Sequence, residues 1–184
     1  MLPSQQRRDC LNGTEFCLAS SPCRNITLQE PRLGEGGVNI DTSVQIGSIT
    51  LGAPVMMASG TAGYGTELAP FVDLSALGAI VTKSLAPYEW AGNPAPRLHP
   101  TPQGMMNAVG LQGPGVQYWL DKVLPALIDT GATVICSIWG QSLEDYRLAA
   151  EMLADAPPEV VAVEVNLSCP NLEGRGSIFA HDIE

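Results

Sequence analysis

Four short apolar runs, separated by lengths of chain that suit helices, constrain this chain more than any other feature. They are Pro54 to Ala58, Ala79 to Ser84, Ala132 to Ile138 and Val160 to Val165, and the last three are rich in β-branched residues. A strand that is apolar along its whole length has both faces covered, which is the condition of a parallel sheet between helices. Helices are expected at Glu67 to Leu77, Val116 to Asp129 and Leu143 to Ala154, giving right-handed strand-helix-strand crossovers. Ahead of these units, Val38-Asn39-Ile40-Asp41 and Val44 to Leu51 alternate apolar and polar residues, as a small antiparallel hairpin does. Between the second strand and its helix, residues 85–115 form a long excursion rich in proline and glycine, read as irregular.

Such a chain can form a doubly wound open sheet or a (β/α)8 barrel. The first requires the G-x-G-x-x-G turn after its first strand, and Gly60-Thr61-Ala62-Gly63-Tyr64-Gly65 has another spacing. Each strand instead ends on a polar residue, Ser59, Lys83, Ser137 and Asn166, as in a barrel whose strand ends surround one site. A complete barrel needs about 250 residues. The expected fold is therefore α/β, the N-terminal half of a (β/α)8 TIM barrel with a short antiparallel hairpin before it. That incomplete barrel domain is placed at 38–184. Residues 1–37 lack periodicity, close on Gly34-Glu35-Gly36-Gly37, and are expected to be a disordered extension.

Composition fits a globular domain: of 184 residues, 45% are apolar and 15% charged. A net charge of −10 disfavours nucleic acid or an anionic membrane as partner, because both need a basic face. No apolar run approaches the roughly 20 residues of a membrane span, and the N-terminus lacks the apolar core of a secretory signal, so a cytoplasmic location is expected. Cys10, Cys17 and Cys23 form no paired C-x-x-C site and have no histidine nearby, and they are taken as incidental thiols. His99 and His181 have no metal-ligand spacing, and no metal is expected.

The chemistry gathers after the strands. Val165-Asn166-Leu167-Ser168-Cys169-Pro170-Asn171 carries a thiol, a hydroxyl and carboxamides into a loop halted by proline. Cysteine is often just a small buried hydrophobe, but this one follows a strand in a polar loop, where a thiol can serve as nucleophile, ligand or base. Lys83 closes an apolar strand and must find an anion or polar ligand to offset its desolvation. In the excursion, Asn107 offers donor and acceptor together, and Gly110 permits close approach of backbone amides.

These segments resemble the dihydroorotate dehydrogenases, FMN-containing (β/α)8 barrels of pyrimidine (UMP) biosynthesis, from about Val38 to Asp182. The resemblance rests on Ala58-Ser59-Gly60, Thr82-Lys83-Ser84, Gly92-Asn93-Pro94-Ala95-Pro96-Arg97, Asn107-Ala108-Val109-Gly110-Leu111 and Asn166-Leu167-Ser168-Cys169-Pro170-Asn171, several motifs in one order. It implies the cysteine-type class 1, with Cys169 as the base that takes a proton from carbon 5 of dihydroorotate while a hydride passes from carbon 6 to FMN. Substrate would be held by Lys83, Asn107, Val109, Gly110, Leu111, Asn166 and Asn171. Flavin would be contacted by Ala58, Ser59, Gly60, Lys83, Ser84, Ser137 and Asn166. Ser137 departs from many relatives, which end that strand in asparagine.

The stretch Asn107 to Gly115 is most similar to the NAD-linked subgroup, which implies a homodimeric catalytic core and a partner subunit carrying an iron–sulfur cluster and FAD. A fumarate-using homodimer and a dihydropyrimidine dehydrogenase-like flavin domain are the competing readings. A third is an inactive truncated half barrel, because loops after strands seven and eight bind the flavin phosphate in such barrels.

Overall fold

The computed structural model describes residues 40–169 and residue 180. The chain divides between Ile40 and Asp41, and the fold below is that of the second unit. It opens with a hairpin of β1 (Val44–Ile46) and β2 (Ile49–Leu51), paired antiparallel so that Val44 faces Leu51. Gly47 takes φ +57° in the intervening turn, a conformation costly for residues with a Cβ. The hairpin thus sits wholly within 44–51, and Ile40 and Asp41 lie outside it.

Four parallel strands follow, β3 (Met56–Met57), β4 (Ala79–Val81), β7 (Val134–Ile138) and β8 (Val160–Val165), in the spatial order β3-β4-β7-β8. Each new strand is added beside the previous one on the same edge. A doubly wound sheet reverses direction, whereas a barrel advances steadily in this way. The expectation of a partial barrel is met.

The core lies where the inner strands meet their helices. Ile80, Val134, Cys136 and Ile138 from the sheet pack with Trp119, Leu124, Leu127, Ala149 and Leu153 from the helical layer, all 6% exposed or less. The helical layer consists of α1 (Val116–Tyr118), a π-helical stretch Trp119–Val123, α2 (Leu124–Ile128) and α3 (Leu143–Met152). The expected helix over 116–129 is therefore present, but interrupted. Pro125 has no N–H for the carbonyl of Asp121, and its ring would collide with it in a regular helix. The chain widens by one residue just ahead of it, where the Leu124 amide donates to the Trp119 carbonyl. Helix α3 starts on a capping box: Ser142 accepts from the amide of Asp145, whose carboxylate accepts from the amide of Ser142 at 3.1 Å.

Two expectations are corrected. The helix expected at Glu67 to Leu77 is a series of turns and a 3₁₀ turn, Leu74–Ala76. Pro70 breaks the pattern, the Ala69 and Phe71 amides bond only three residues back, and the Asp73 carboxylate accepts from Ser75 N (3.0 Å) to begin a new cap. The excursion read as irregular contains a second hairpin, β5 (Leu98–Thr101) and β6 (Gly104–Asn107), with Leu98 opposite Asn107. Pro100 and Pro102 hide it from a propensity reading. A proline is tolerated in a strand whose N–H edge need not be paired.

Candidate functional site

The strand ends meet beneath a cleft of about 550 Å³, lined by Ser59, Gly60, Lys83, Ser84, Leu98, Met105, Asn107, Val109, Gly110, Leu111, Asn166 and Cys169. Every candidate residue among the described positions therefore faces it except Ala58 and Ser137. The carbonyl of Ala58 closes a turn by accepting from Thr61 N (3.1 Å) and Thr61 Oγ1 (2.6 Å). Asn171 and His181 lie outside the described residues.

Ser137 lies one layer below the cleft, fully buried, with its hydroxyl 2.9 Å from that of Ser84. Ser84 accepts from Asn166 Nδ2 (2.9 Å) and is 3.4 Å from Ser59, whose hydroxyl donates to the carbonyl of Thr82 (2.9 Å). Among the described residues, one direction gives every hydroxyl proton an acceptor: Ser137 to Ser84, Ser84 to Ser59, Ser59 to Thr82. A buried hydroxyl left without a partner costs about 1–3 kcal/mol, so this sense is favoured over its reverse. The chain of bonds fixes Asn166 with its amide nitrogen on Ser84. The Asn166 Oδ1 is then left to accept from Ser168 N (3.2 Å) and Oγ (3.4 Å), which holds the loop leading to Cys169. Tyr146 adds a hydroxyl bond to the Asn166 carbonyl (2.7 Å).

Lys83 is half-buried, its Nζ 5.4 Å above the ring of Tyr64. Burial, and then the charge of Arg97, pulls its pKa below the ordinary lysine value. No carboxylate forms an ion pair with it among the described residues, where the two bridges both belong to Arg147 on α3. Among the described residues, Lys83 thus brings to the cleft a cation with no carboxylate partner. The two cysteines in the described part differ sharply: Cys136 is sealed in the core and burial drives its thiol up to about 12, while Cys169 borders the cleft.

The opposite wall is made by hairpin β5–β6 and the loop after it. Because residues paired across a ladder share a face, Leu98, Pro100, Met105 and Asn107 lie on one side, and three of the four line the cleft. Two motifs that are separate in sequence interlock here. Asn93 donates from its backbone to Val109 O (3.0 Å) and from its side chain to Ala108 O (3.0 Å), while Trp90 Nε1 donates to Gly110 O (2.9 Å). Gly92 and Gly110 both have positive φ, and a Cβ on either would come within 2.6 Å of the other loop, so only glycine fits at this crossing.

With this geometry in hand, comparison with known proteins is decisive. A family model described as dihydroorotate dehydrogenase matches residues 42–182. The chain belongs to the dihydroorotate dehydrogenase family. A relative from Geobacter sulfurreducens, dihydroorotate dehydrogenase B (NAD(+)), catalytic subunit, is 49% identical over 142 residues. The protein of the same description from Geotalea uraniireducens is 47% identical over 142 residues. Both alignments cover 77% of this chain and 46% of the relative, so the chain spans about half the length of the curated relatives it matches. Among solved structures, that of DHODH in complex with ferulenol from Eimeria tenella superposes with a TM-score of 0.52 at 21% identity, covering 73% of this chain and 38% of that one. That likeness supports the fold.

Within this dihydroorotate dehydrogenase fold, the sequence reading missed Leu98, Met105 and Tyr64. The methionine pair Met105-Met106 in a polar, proline-rich stretch was the available signal for the hairpin. Nothing local marks Tyr64, whose partners are 19 and 48 positions away.

Proposed function

We propose that the full-length protein oxidises dihydroorotate to orotate in pyrimidine biosynthesis, with FMN as its resident cofactor and this cleft as its site. The observation that carries the reading is the convergence of residues from three strand ends, those of β3, β4 and β8, and from the excursion on one cleft. The lining suits a flavin ring: the Lys83 cation and the second amide proton of Asn166 can donate to its polar edge, the Ser59 hydroxyl keeps a lone pair for a ring N–H, and Leu98 and Met105 supply apolar surface. Bound FMN would supply the acceptor for the hydride that leaves carbon 6. Cys169 removes the proton from carbon 5, so that the electron pair of that bond becomes the new carbon–carbon double bond. Lys83 neutralises the substrate carboxylate, and Asn107, Asn166 and Asn171 pair with the ring amides. The amides near Val109, Gly110 and Leu111 close over the substrate and exclude water.

The curated relatives are named as NAD(+)-type catalytic subunits, and this supports a separate subunit that passes electrons to NAD; its iron–sulfur cluster and FAD, and a homodimeric core, are proposed from the family resemblance. Among the described residues no helix is long and apolar enough to cross a membrane and no cluster of metal-binding side chains occurs. A cytoplasmic location is proposed on the same grounds. The test is anaerobic reduction of the purified full-length protein: bleaching of its flavin by dihydroorotate and not by dihydrouracil is expected. Bleaching by dihydrouracil alone would overturn the assignment.

A further inference from the structure

We infer that Tyr64 is a positioning residue that sets two walls of the cleft at once, carrying the Lys83 ammonium on its ring and tying down the 109–113 loop through its hydroxyl. The inference rests on the reading of this cleft as the substrate site, but its geometry does not.

Tyr64 is held at every polar group it has. Its amide donates to Glu67 Oε1 (2.9 Å), its carbonyl accepts from the indole of the buried Trp119 (2.8 Å), and its hydroxyl donates to the carbonyl of Gln112. The next amide, of Gly65, donates to the other oxygen of Glu67 (2.7 Å). A Cβ at Gly113 would lie 2.7 Å from the Tyr64 hydroxyl, so the loop passes directly over it. A ring fixed in this way is a rigid platform, and a cation 5.4 Å from its centroid is within the distance at which the ring's electron-rich face attracts it. Lys83 is tied to the same turn by its backbone, whose amide donates to Gly63 O (2.8 Å).

The two contacts do separate work. The ring gives Lys83 a resting place that leaves its charge available, where a carboxylate would have consumed it. The hydroxyl fixes Gln112, one residue beyond the cleft-lining sequence Val109-Gly110-Leu111, in which Gly110 and Leu111 take φ of +75° and +57°. Two consecutive left-handed residues, one of them a leucine, persist only when both flanks are pinned. Asn93 and the Trp90 indole pin one flank, and the other is held by the paired backbone bonds of Trp90 with Gly113 (2.9 and 2.8 Å) together with the Tyr64 hydroxyl on Gln112.

The test compares Tyr64→Phe and Tyr64→Leu in the full-length protein, with thermal unfolding as the check on folding. Amide hydrogen exchange at 109–113 should speed up about tenfold in both variants. Modification of Lys83 by an amine-acylating reagent, read by peptide mass spectrometry, should match the parent in the Phe variant and accelerate severalfold in the Leu variant. With dihydroorotate, KM should rise in both, more in the Leu variant, by a larger factor than kcat falls. Parent-like exchange in the Phe variant would overturn the hydroxyl's role. Equal Lys83 labelling in the two variants would overturn the ring's role. Exchange and labelling need no substrate, so a failure to turn over dihydroorotate would count against the proposed reaction alone.

Discussion

Ser84 and Met105 border the same cleft from opposite sides and are kept there by different means. Ser84 is 1% exposed and shares hydrogen bonds with three other side chains, each from a different strand end. Met105 is 66% exposed and stands on a hairpin held by its own ladder and by the loop that Trp90 and Asn93 grip. The strand-end side is specified by desolvation, since each polar group there must be matched or stability is lost. The hairpin side is specified by backbone contacts, so its apolar side chains facing the cleft, Leu98 and Met105, can be chosen for a ligand. The strand-end side should therefore answer for chemistry and stability, and the hairpin side for affinity.

The largest effect is expected on the strand-end side. Replacing Cys169 with alanine should slow flavin reduction by dihydroorotate by about a hundred- to ten-thousand-fold, the range of a lost general base. An unchanged stopped-flow rate would dismiss the role. Ser84→Ala should leave the Ser137 hydroxyl and one Asn166 amide proton without an acceptor and cost about 1–3 kcal/mol. Urea denaturation reads this as a lower midpoint at unchanged slope. Across the cleft, Met105→Ala should shift stability by less than about 0.5 kcal/mol, as at other exposed positions. Its cost should appear as about a three- to tenfold rise in KM, the worth of an apolar contact of roughly 1 kcal/mol. Comparable stability losses at Ser84 and Met105 would break the contrast.

The smallest effect is a slope with pH. Burial lowers the folded pKa of Lys83 below 10.5, so between that lowered value and 10.5 the unfolded chain binds more protons than the folded one. Stability from this group therefore rises with pH through that window, while the affinity for an anionic product such as orotate falls as the ammonium is lost. Both slopes should vanish in Lys83→Met, and a persisting loss of orotate binding in calorimetric titration would remove Lys83 from the anion site.

What could be read in advance follows the same division. β7 was legible because a strand covered on both faces must be apolar throughout, and β8 because its β-branched run marks a strand even though Val163 and Val165 are exposed; the polar residues that end the strands stood out against those runs. The hairpin was not, because Pro100 and Pro102 argue locally for a loop, while its register depends on bonds between residues 90–97 and 108–113. The helix expected at 67–77 failed for a related reason: its apolar spacing was helical, but Pro70 and the Asp73 cap divide it. Of the site, the strand-end residues could be named from their positions, whereas Tyr64 gains its role only from partners that the fold brings close.

The π-helical stretch at Trp119–Val123 also acts as a phase corrector. Each residue of an α-helix advances the chain by about 100° around its axis. Deleting one residue between Leu120 and Val123 would restore a regular period and swing the preceding turn around by about that angle relative to α2. Trp119 would leave the carbonyl of Tyr64, and with it one of the anchors of the ring beneath Lys83. A single extra residue on the outer layer, just ahead of Pro125, is thus in register with a charge that lines the cleft.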